Sequence, residues 1–312
     1  MRFYARAALE RALVPDAFYR SRLARRLARI SAYDAEYIQD RVRYYNRMEH
    51  SFFLTDSAVA LKDLGGDVAS AYFYDYRGLM RYFPVEVRAD VEFGDVSVNL
   101  PHPTLVKSRP IGEGNENNVL LKLNRVRHFI PIQDSVDYAD KQDLLVWRGA
   151  GWQQQRKDFL KAFWNHPLCD VGMVNAPRDP DHRQEWVKPK MTVAEQLQYK
   201  FILSIEGNDV ATNLKWIAQS NSLCFMTRPK FETWMMEGRL VGGEHYVELR
   251  DDYADLPEKV EHYIAHPDEA RGIIRNFQAY YRPFTDHAAD ELIALMVVKQ
   301  YLELSGQAPR GE

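Results

Sequence analysis

Cysteine is scarce in this chain: 312 residues contain two. Cys169 and Cys224 each sit in an apolar, strand-like run (LCDVGMV and SLCFM), where a buried free thiol is expected rather than a disulfide. Long apolar runs are missing too. None reaches the ~18 residues that a membrane span needs. No apolar core of roughly 7–15 residues follows the first basic residues, so no secretory signal is read. Together these absences make a cytoplasmic protein the expectation. The net charge is −3, without the basic excess of a nucleic-acid binder. Nine histidines form neither a His-x-x-x-His nor a His-x-x-Glu-His pattern, which argues against zinc. There is no Gly-x-Ser-x-Gly elbow. There is no Gly-x-Gly-x-x-Gly with an acidic residue placed for a dinucleotide, so a nicotinamide enzyme is disfavoured. Internal repeats and low-complexity tracts are absent.

What is present fits a globular α/β protein. Hydrophobic residues make up 46% and charged residues 27%, and the length suits two α/β domains or one large one. Charge is uneven. Residues 1–30 read as a basic helical segment, interrupted near Pro15, and within it residues 20–30, RSRLARRLARI, carry five arginines and no acid. Leu23, Leu27 and Ile30 form an apolar edge there. Two readings stay open: a solvated helix on the protein's own surface, or a helix lying on an anionic membrane.

The first half mixes signals. Asp56–Leu64 reads as a helix, Val85–Val98 as one or two strands and Thr104–Val106 as a strand. A Gly/Asn-rich loop precedes an expected amphipathic helix, Val119–Phe129. From Asp143 the pattern is regular. Strands are expected at Leu144–Trp147, Leu168–Val174, Phe201–Ile205, Leu223–Met226 and Tyr246–Leu249. Helices are expected at Gln153–Trp164, Thr192–Gln198, Ala211–Gln219, Phe231–Gly238, Leu256–Ala265, Asp268–Tyr281 and Asp286–Leu304. This alternation predicts a parallel sheet with Rossmann-like winding. The polar stretch Asp134–Asp143 suggests a boundary, giving domains at 1–140 and 141–285 and a last helix, 286–312, that could return to the first domain.

Two strand–glycine–helix junctions suit phosphate. In YKFILSIEGNDVATNLKW (199–216) a break at Glu206–Asp209 lies between strand and helix, with Asp209 or Thr212 available as cap. First-turn amides and the helix dipole favour an anion at such a place. In Trp147-Arg148-Gly149-Ala150-Gly151, glycines permit close backbone approach, and Arg148 and Arg156 could meet phosphate. Either junction could equally be a plain turn. Lys107 and Arg109 after Thr104–Val106 are phosphate-binding or ion-pair candidates. Asp95, near a strand end, is a general-base or turn candidate. Glu232 and Glu237 could bond ribose hydroxyls or serve a helix start. Asp179-x-Asp181 could chelate a divalent cation or lie in a solvated loop.

Taken together, VLLKLNRVRHF (119–129), LLVWRGAG (144–151), LCDVGMVN (168–175), residues 199–216, SLCFM (222–226), FETWMMEGRLVGGEHYVEL (231–249) and DDYADLPEKV (251–260) resemble the CAP10-type, family 90 glycosyltransferases. The bacterial lipopolysaccharide A branch looks nearest, and protein O-glucosyltransferases are more distant. The resemblance covers about residues 80–305.

It implies a GT-B fold of two Rossmann-like domains facing a cleft, a UDP-sugar donor and inverting transfer with no obligatory metal or cofactor. Arg148, Gly149 and Ala150 match the family's Arg-Gly-Ser loop. Ala150 replaces a serine, leaving that contact to backbone. Arg156 matches a donor-binding arginine. Gly207, Asn208, Asp209, Val210, Ala211, Thr212 and Asn213 match the segment that wraps the diphosphate. Asn213 stands where eukaryotic relatives carry arginine, so Lys215, or Lys107 and Arg109 across the cleft, would supply charge. Glu232 is a donor-side candidate. Asp95 is the nearest match to the catalytic aspartate. The implied acceptor is a glycan or lipid-linked glycan, in lipopolysaccharide or surface polysaccharide synthesis, with a possible peripheral contact to an anionic membrane. The alternatives are another GT-B sugar-nucleotide enzyme (an epimerase or retaining transferase), a non-catalytic UDP-sugar-binding or scaffolding protein, and a basic peripheral membrane protein without nucleotide.

Overall fold

The computed structural model describes residues 13–64, 70–176, 180 and 182–307. It divides into two compact units. One comprises the described parts of Met1–Arg127, Phe231–Glu237 and Phe284–Glu312, the other His128–Lys230 and Gly238–Pro283.

The second unit is built on five parallel strands: Gln142–Gly149, Cys169–Met173, Tyr199–Leu203, Leu223–Thr227 and Val247–Leu249. Across the sheet their order is second, first, third, fourth, fifth. This is a doubly wound order whose winding reverses between the first and third strands. The apolar runs predicted as strands are buried on both faces, as parallel sheets require. Leu145, Val146, Phe201, Ile202, Leu203, Leu223 and Phe225 are all 0% exposed. Helices Gln154–Phe163, Leu256–Ala265 and Pro267–Tyr281 contribute Phe159, Leu160, Val260, Ile273 and Phe277 to the buried set. Thr192 and Glu195 form a capping box at Val193–Gln196. Cys169 and Cys224 are free, and burial pushes the Cys169 thiol up to about 12.

The first unit has shorter strands. Val91–Glu92, Thr104–Val106 and Asn118–Leu120 form a parallel sheet. Two antiparallel pairs join Val59–Ala60 to Arg88–Ala89 and Arg109–Pro110 to Phe231–Glu232. The final helix, His287–Leu304, starts at Asp286, whose carboxylate accepts from the amides of Ala288 and Ala289. It is apolar nearly all round, the pattern of a helix buried on several sides. It packs against helices Ala35–Tyr45 and Ala71–Met80.

Four expected helices differ. Asp56–Leu64 contains the strand Val59–Ala60. Of Val119–Phe129 only Arg125–His128 is helical, while Val119 and Leu120 pair with Leu105 and Val106, because a short apolar run fits a buried strand as well as a helix face. Within 211–219 only Leu214–Ile217 is α-helical. In 231–238, Phe231–Glu232 is a strand, and Met236 at φ 57° breaks helical geometry. The units also divide at Arg127/His128, ahead of the polar stretch. Asp134 in that stretch is an internal part of the second unit: its carboxylate pairs with Lys141 at 2.9 Å and accepts from the Asn221 amide.

The arginine-rich segment forms two five-residue helices, Asp16–Arg20 and Leu23–Leu27, followed by a 3-10 helix, Ala28–Ala32. Residues 1–12 of the expected basic helix lie outside the described residues. Among the described residues no helix is long and apolar enough to cross a membrane.

Candidate active site

The carboxyl ends of the first and third strands of the large sheet flank the point where the winding reverses. Open α/β sheets bind ligands at such a point. Gly149–Gly151 follows the first strand, and Ser204–Asn208 follows the third. Gly149 has a packing reason to be glycine, since a Cβ there would lie 2.4 Å from the Trp147 ring.

Arg156, in the first turns of helix Gln154–Phe163, ties the two strand ends together. Its guanidinium donates to the carbonyls of Ala150 at 3.0 Å, Ile205 at 2.9 Å and Glu206 at 3.1 Å. The guanidinium carbon lies 5.8 Å from the centre of the Trp147 ring, within cation–π range. No carboxylate is paired with Arg156 among the described residues. Burial pushes its guanidinium down to about 10, so it stays charged at neutral pH. Neighbouring side chains hold the same loop. Gln155 donates to the carbonyls of Glu206 and Gly207, and Gln153 to Asn208 Oδ1 at 3.1 Å. The result is a fixed positive charge at a strand crossover beside a ten-residue helix's N-terminus.

The loop 207–213 is not the expected helix start. The Gly207 amide bonds the Asp209 carbonyl at 2.8 Å. Asn213 donates to the Leu203 carbonyl at 2.9 Å and accepts from Ser204 at 3.1 Å. Val210, Ala211, Asp209 and Lys215 are buried, and Thr212 is half-buried. Full burial of Lys215 (0% exposed) keeps its ammonium from the surface where phosphate charge was expected to be met.

Arg148 is placed differently from Arg156. It lies on the opposite face of its strand from Trp147. Its guanidinium bonds Asp170 Oδ1 at 2.8 Å, the Asp170 carbonyl at 2.7 Å and the Pro189 carbonyl at 3.2 Å. Lys188 and Tyr199 also bond Asp170, at 2.9 and 2.8 Å. Burial alone would raise the Asp170 carboxyl, but hydrogen bonds from Lys188, Arg148 and Tyr199 outweigh it and hold the group at about 2.

Other site residues lie in the first unit. Asp95 Oδ1 accepts from Lys107 Nζ at 2.6 Å, and Tyr72 OH lies 3.4 Å away. The Asp95 side chain is 35% exposed and that of Lys107 3%. The structure therefore joins the candidate base to one of the two expected cleft cations. The other, Arg109, is fully buried and bonds Glu232 Oε1 at 2.7 Å. Glu232 also accepts from Tyr44 and Arg47. Arg109 and Glu232, read separately from sequence, are thus one buried pair across the Arg109–Pro110 and Phe231–Glu232 ladder. Glu237 accepts from the amide and hydroxyl of Thr233 at 2.6 and 2.8 Å.

Asp179 and Asp181 lie outside the described residues. Among the described residues no group of three or more His, Cys, Asp and Glu is placed to hold a metal. Sequence reasoning missed Gln153, Gln155 and Asn175. Asn175 accepts the Gly151 amide at 2.7 Å, and polar residues of this kind carry no signal until the strand order is known. His182 has Nε2 2.6 Å from the Gly151 carbonyl.

A doubly wound parallel sheet of this order defines the class as an α/β protein of the Rossmann-like kind. Comparison narrows this. A family model for glycosyl transferase family 90 matches residues 118–303. The chain is 46% identical over 309 residues to O-glucosyltransferase LpsA of Dichelobacter nodosus, covering 97% of this chain and 95% of that protein. It is 26% identical over 171 residues to uncharacterized protein 035R of Invertebrate iridescent virus 3, covering 48% of this chain and 16% of that one. The chain belongs to glycosyl transferase family 90, on the LpsA branch, and is a glycosyltransferase.

Proposed function

We propose that this glycosyltransferase moves a sugar of the glucose or xylose class, glucose foremost, from a UDP-sugar to a hydroxyl of a glycan acceptor in lipopolysaccharide or surface polysaccharide synthesis. Glucose comes first because the 46% identical relative is called an O-glucosyltransferase. We read the fold as GT-B and the transfer as inverting, at the inner face of the cell membrane. The observation that carries the donor half is the Arg156 clamp, a charged guanidinium fixed by three carbonyls at the winding reversal.

In this reading the diphosphate lies against Arg156, the backbone of 149–151 and the 207–213 loop. Asp95, oriented by Lys107, accepts the acceptor's hydroxyl proton. The freed oxygen bonds the anomeric carbon from the face opposite UDP, and the bond from that carbon to the β-phosphate oxygen breaks. The leaving charge is met by Arg156 and the first turn of Gln154–Phe163, without an obligatory metal. Arg148 supports the site through Asp170 rather than by touching donor.

The test is transfer from a UDP-sugar panel in EDTA, with the product's anomeric configuration assigned. Inverted product from UDP-glucose supports the proposal. A retained configuration overturns the inverting mechanism. Binding of UDP with no transfer from any UDP-sugar overturns the proposed donor and acceptor pairing while leaving the nucleotide site standing.

A further inference from the structure

The first unit holds a cavity of about 510 Å³, lined by the basic N-terminal segment, helix Ala71–Met80 and the start of the final helix. The charge around and beneath it is unbalanced. Arg26 pairs with Glu291 at 3.2 Å and Arg125 with Asp75 at 2.7 Å. Asp16 serves both Arg77 and Arg81, and Asp290 serves both Arg41 and Lys122. Arg29, exposed on the cavity wall, pairs with no carboxylate among the described residues. Among the described residues seven cations therefore share four carboxylates. Three of these cations, Arg41, Arg81 and Lys122, are at most 7% exposed.

Buried positive charge in excess of its partners is costly, and an anion entering the cavity relieves that cost. Guanidinium groups also present the paired donors that phosphate and carboxylate accept. The volume falls in the range of small-molecule sites. The wall leaves room at Gly78, where an added Cβ would meet nothing within 4 Å.

We propose that this cavity binds a sugar carrying a phosphate or carboxylate group, as the anchoring unit of the acceptor glycan. That the ligand is an anion rests on the cavity; that it is an acceptor sugar rests on the proposed transfer reaction. Gly78→Met fills the space without removing a charge, and Arg29→Glu reverses the unpaired cation without changing the shape. Both are exposed to little packing loss, and thermal unfolding checks that they fold.

The experiment is calorimetric titration of the full chain and both variants with glucose 6-phosphate, glucuronate, glucose, inorganic phosphate and UDP. The expected result is binding of an anionic sugar to the native chain, weakened at least tenfold in both variants, with glucose at least tenfold weaker. UDP binding is expected to be the same in all three proteins. Anionic-sugar binding that is absent, or untouched by both variants, overturns the proposal. Inorganic phosphate binding as tightly as the sugars overturns its saccharide part. Failure of UDP to bind the native chain strikes the donor reading alone and leaves the cavity result standing.

Discussion

The two units of this chain are held together by different means. In the second, strands of three to eight residues share one apolar core, and charge collects at strand ends and loops. In the first, most strands are two or three residues long, and much of the fixing is done by buried ion pairs: Arg109–Glu232, Arg41–Asp290 and Lys122–Asp290. A long parallel sheet gains from apolar burial at roughly 25 cal/mol per Å². The short ladders bury fewer such side chains each, among them Leu105, Val106, Val119 and Leu120, and charged and aromatic pins add to their fixing. Trp234 shows this: it stacks on Tyr45 at 3.8 Å and donates to Asp290 at 2.9 Å.

Breaking one partner of a buried pair should therefore hurt the first unit most. Arg109→Ala leaves Glu232 without its closest cation, and a loss of about 3–5 kcal/mol is expected. The check is chemical unfolding. A loss under about 1 kcal/mol would show that Tyr44 and Arg47 hold the strand pair alone.

In the second unit the prediction concerns chemistry, through the donor role proposed for Arg156. Arg156→Ala should lower kcat on the order of 100-fold or more, equal to roughly 2.7–4 kcal/mol of transition-state stabilisation. Arg156→Lys should fare little better, because one ammonium cannot span three carbonyls. Steady-state kinetics on folded variants decides this, and unchanged turnover would remove Arg156 from the mechanism.

Asp170→Asn sharpens the contrast, since this charge cluster is structural yet lies in the regular unit. The folded carboxyl sits at about 2 against an ordinary value of 3.8. A depressed carboxyl contributes stability above its unfolded value, and that contribution is lost as pH falls through the folded value. The native chain should be the more stable at pH 6, by about 1 kcal/mol once solvent screening of this partly exposed cluster is allowed for, and the gap should narrow as pH falls from about 4 towards 2. A gap that is constant with pH would assign the effect to packing. Smaller still is the effect of Gln155→Ala, which removes two bonds to the 206–207 carbonyls. A cost of about 1 kcal/mol is expected in thermal unfolding.

Much of this contrast is legible in the sequence. Periodicity placed the five strands and the helix 256–265 because local pattern and burial agree there. It overextended 119–129 and 211–219, where only Arg125–His128 and Leu214–Ile217 are helical, and misplaced 231–238; the outcome there depends on distant partners: Leu105 and Val106 for the first, Leu203 for the second, Pro110 and Arg109 for the third. Arg156 and the glycine loop were readable as a phosphate candidate. That Arg148 turns to Asp170, and that Arg109 meets Glu232 across 123 positions, required the fold, because ion-pair choice leaves no trace in spacing.

The most direct test of the donor site is thermal unfolding with and without UDP, in EDTA, for the native chain and Arg156→Ala. UDP at about 100 times its dissociation constant should add about 2.7 kcal/mol to the native chain and far less to the variant at the same concentration. Equal stabilisation of both proteins would contradict the placement of the diphosphate at the winding reversal.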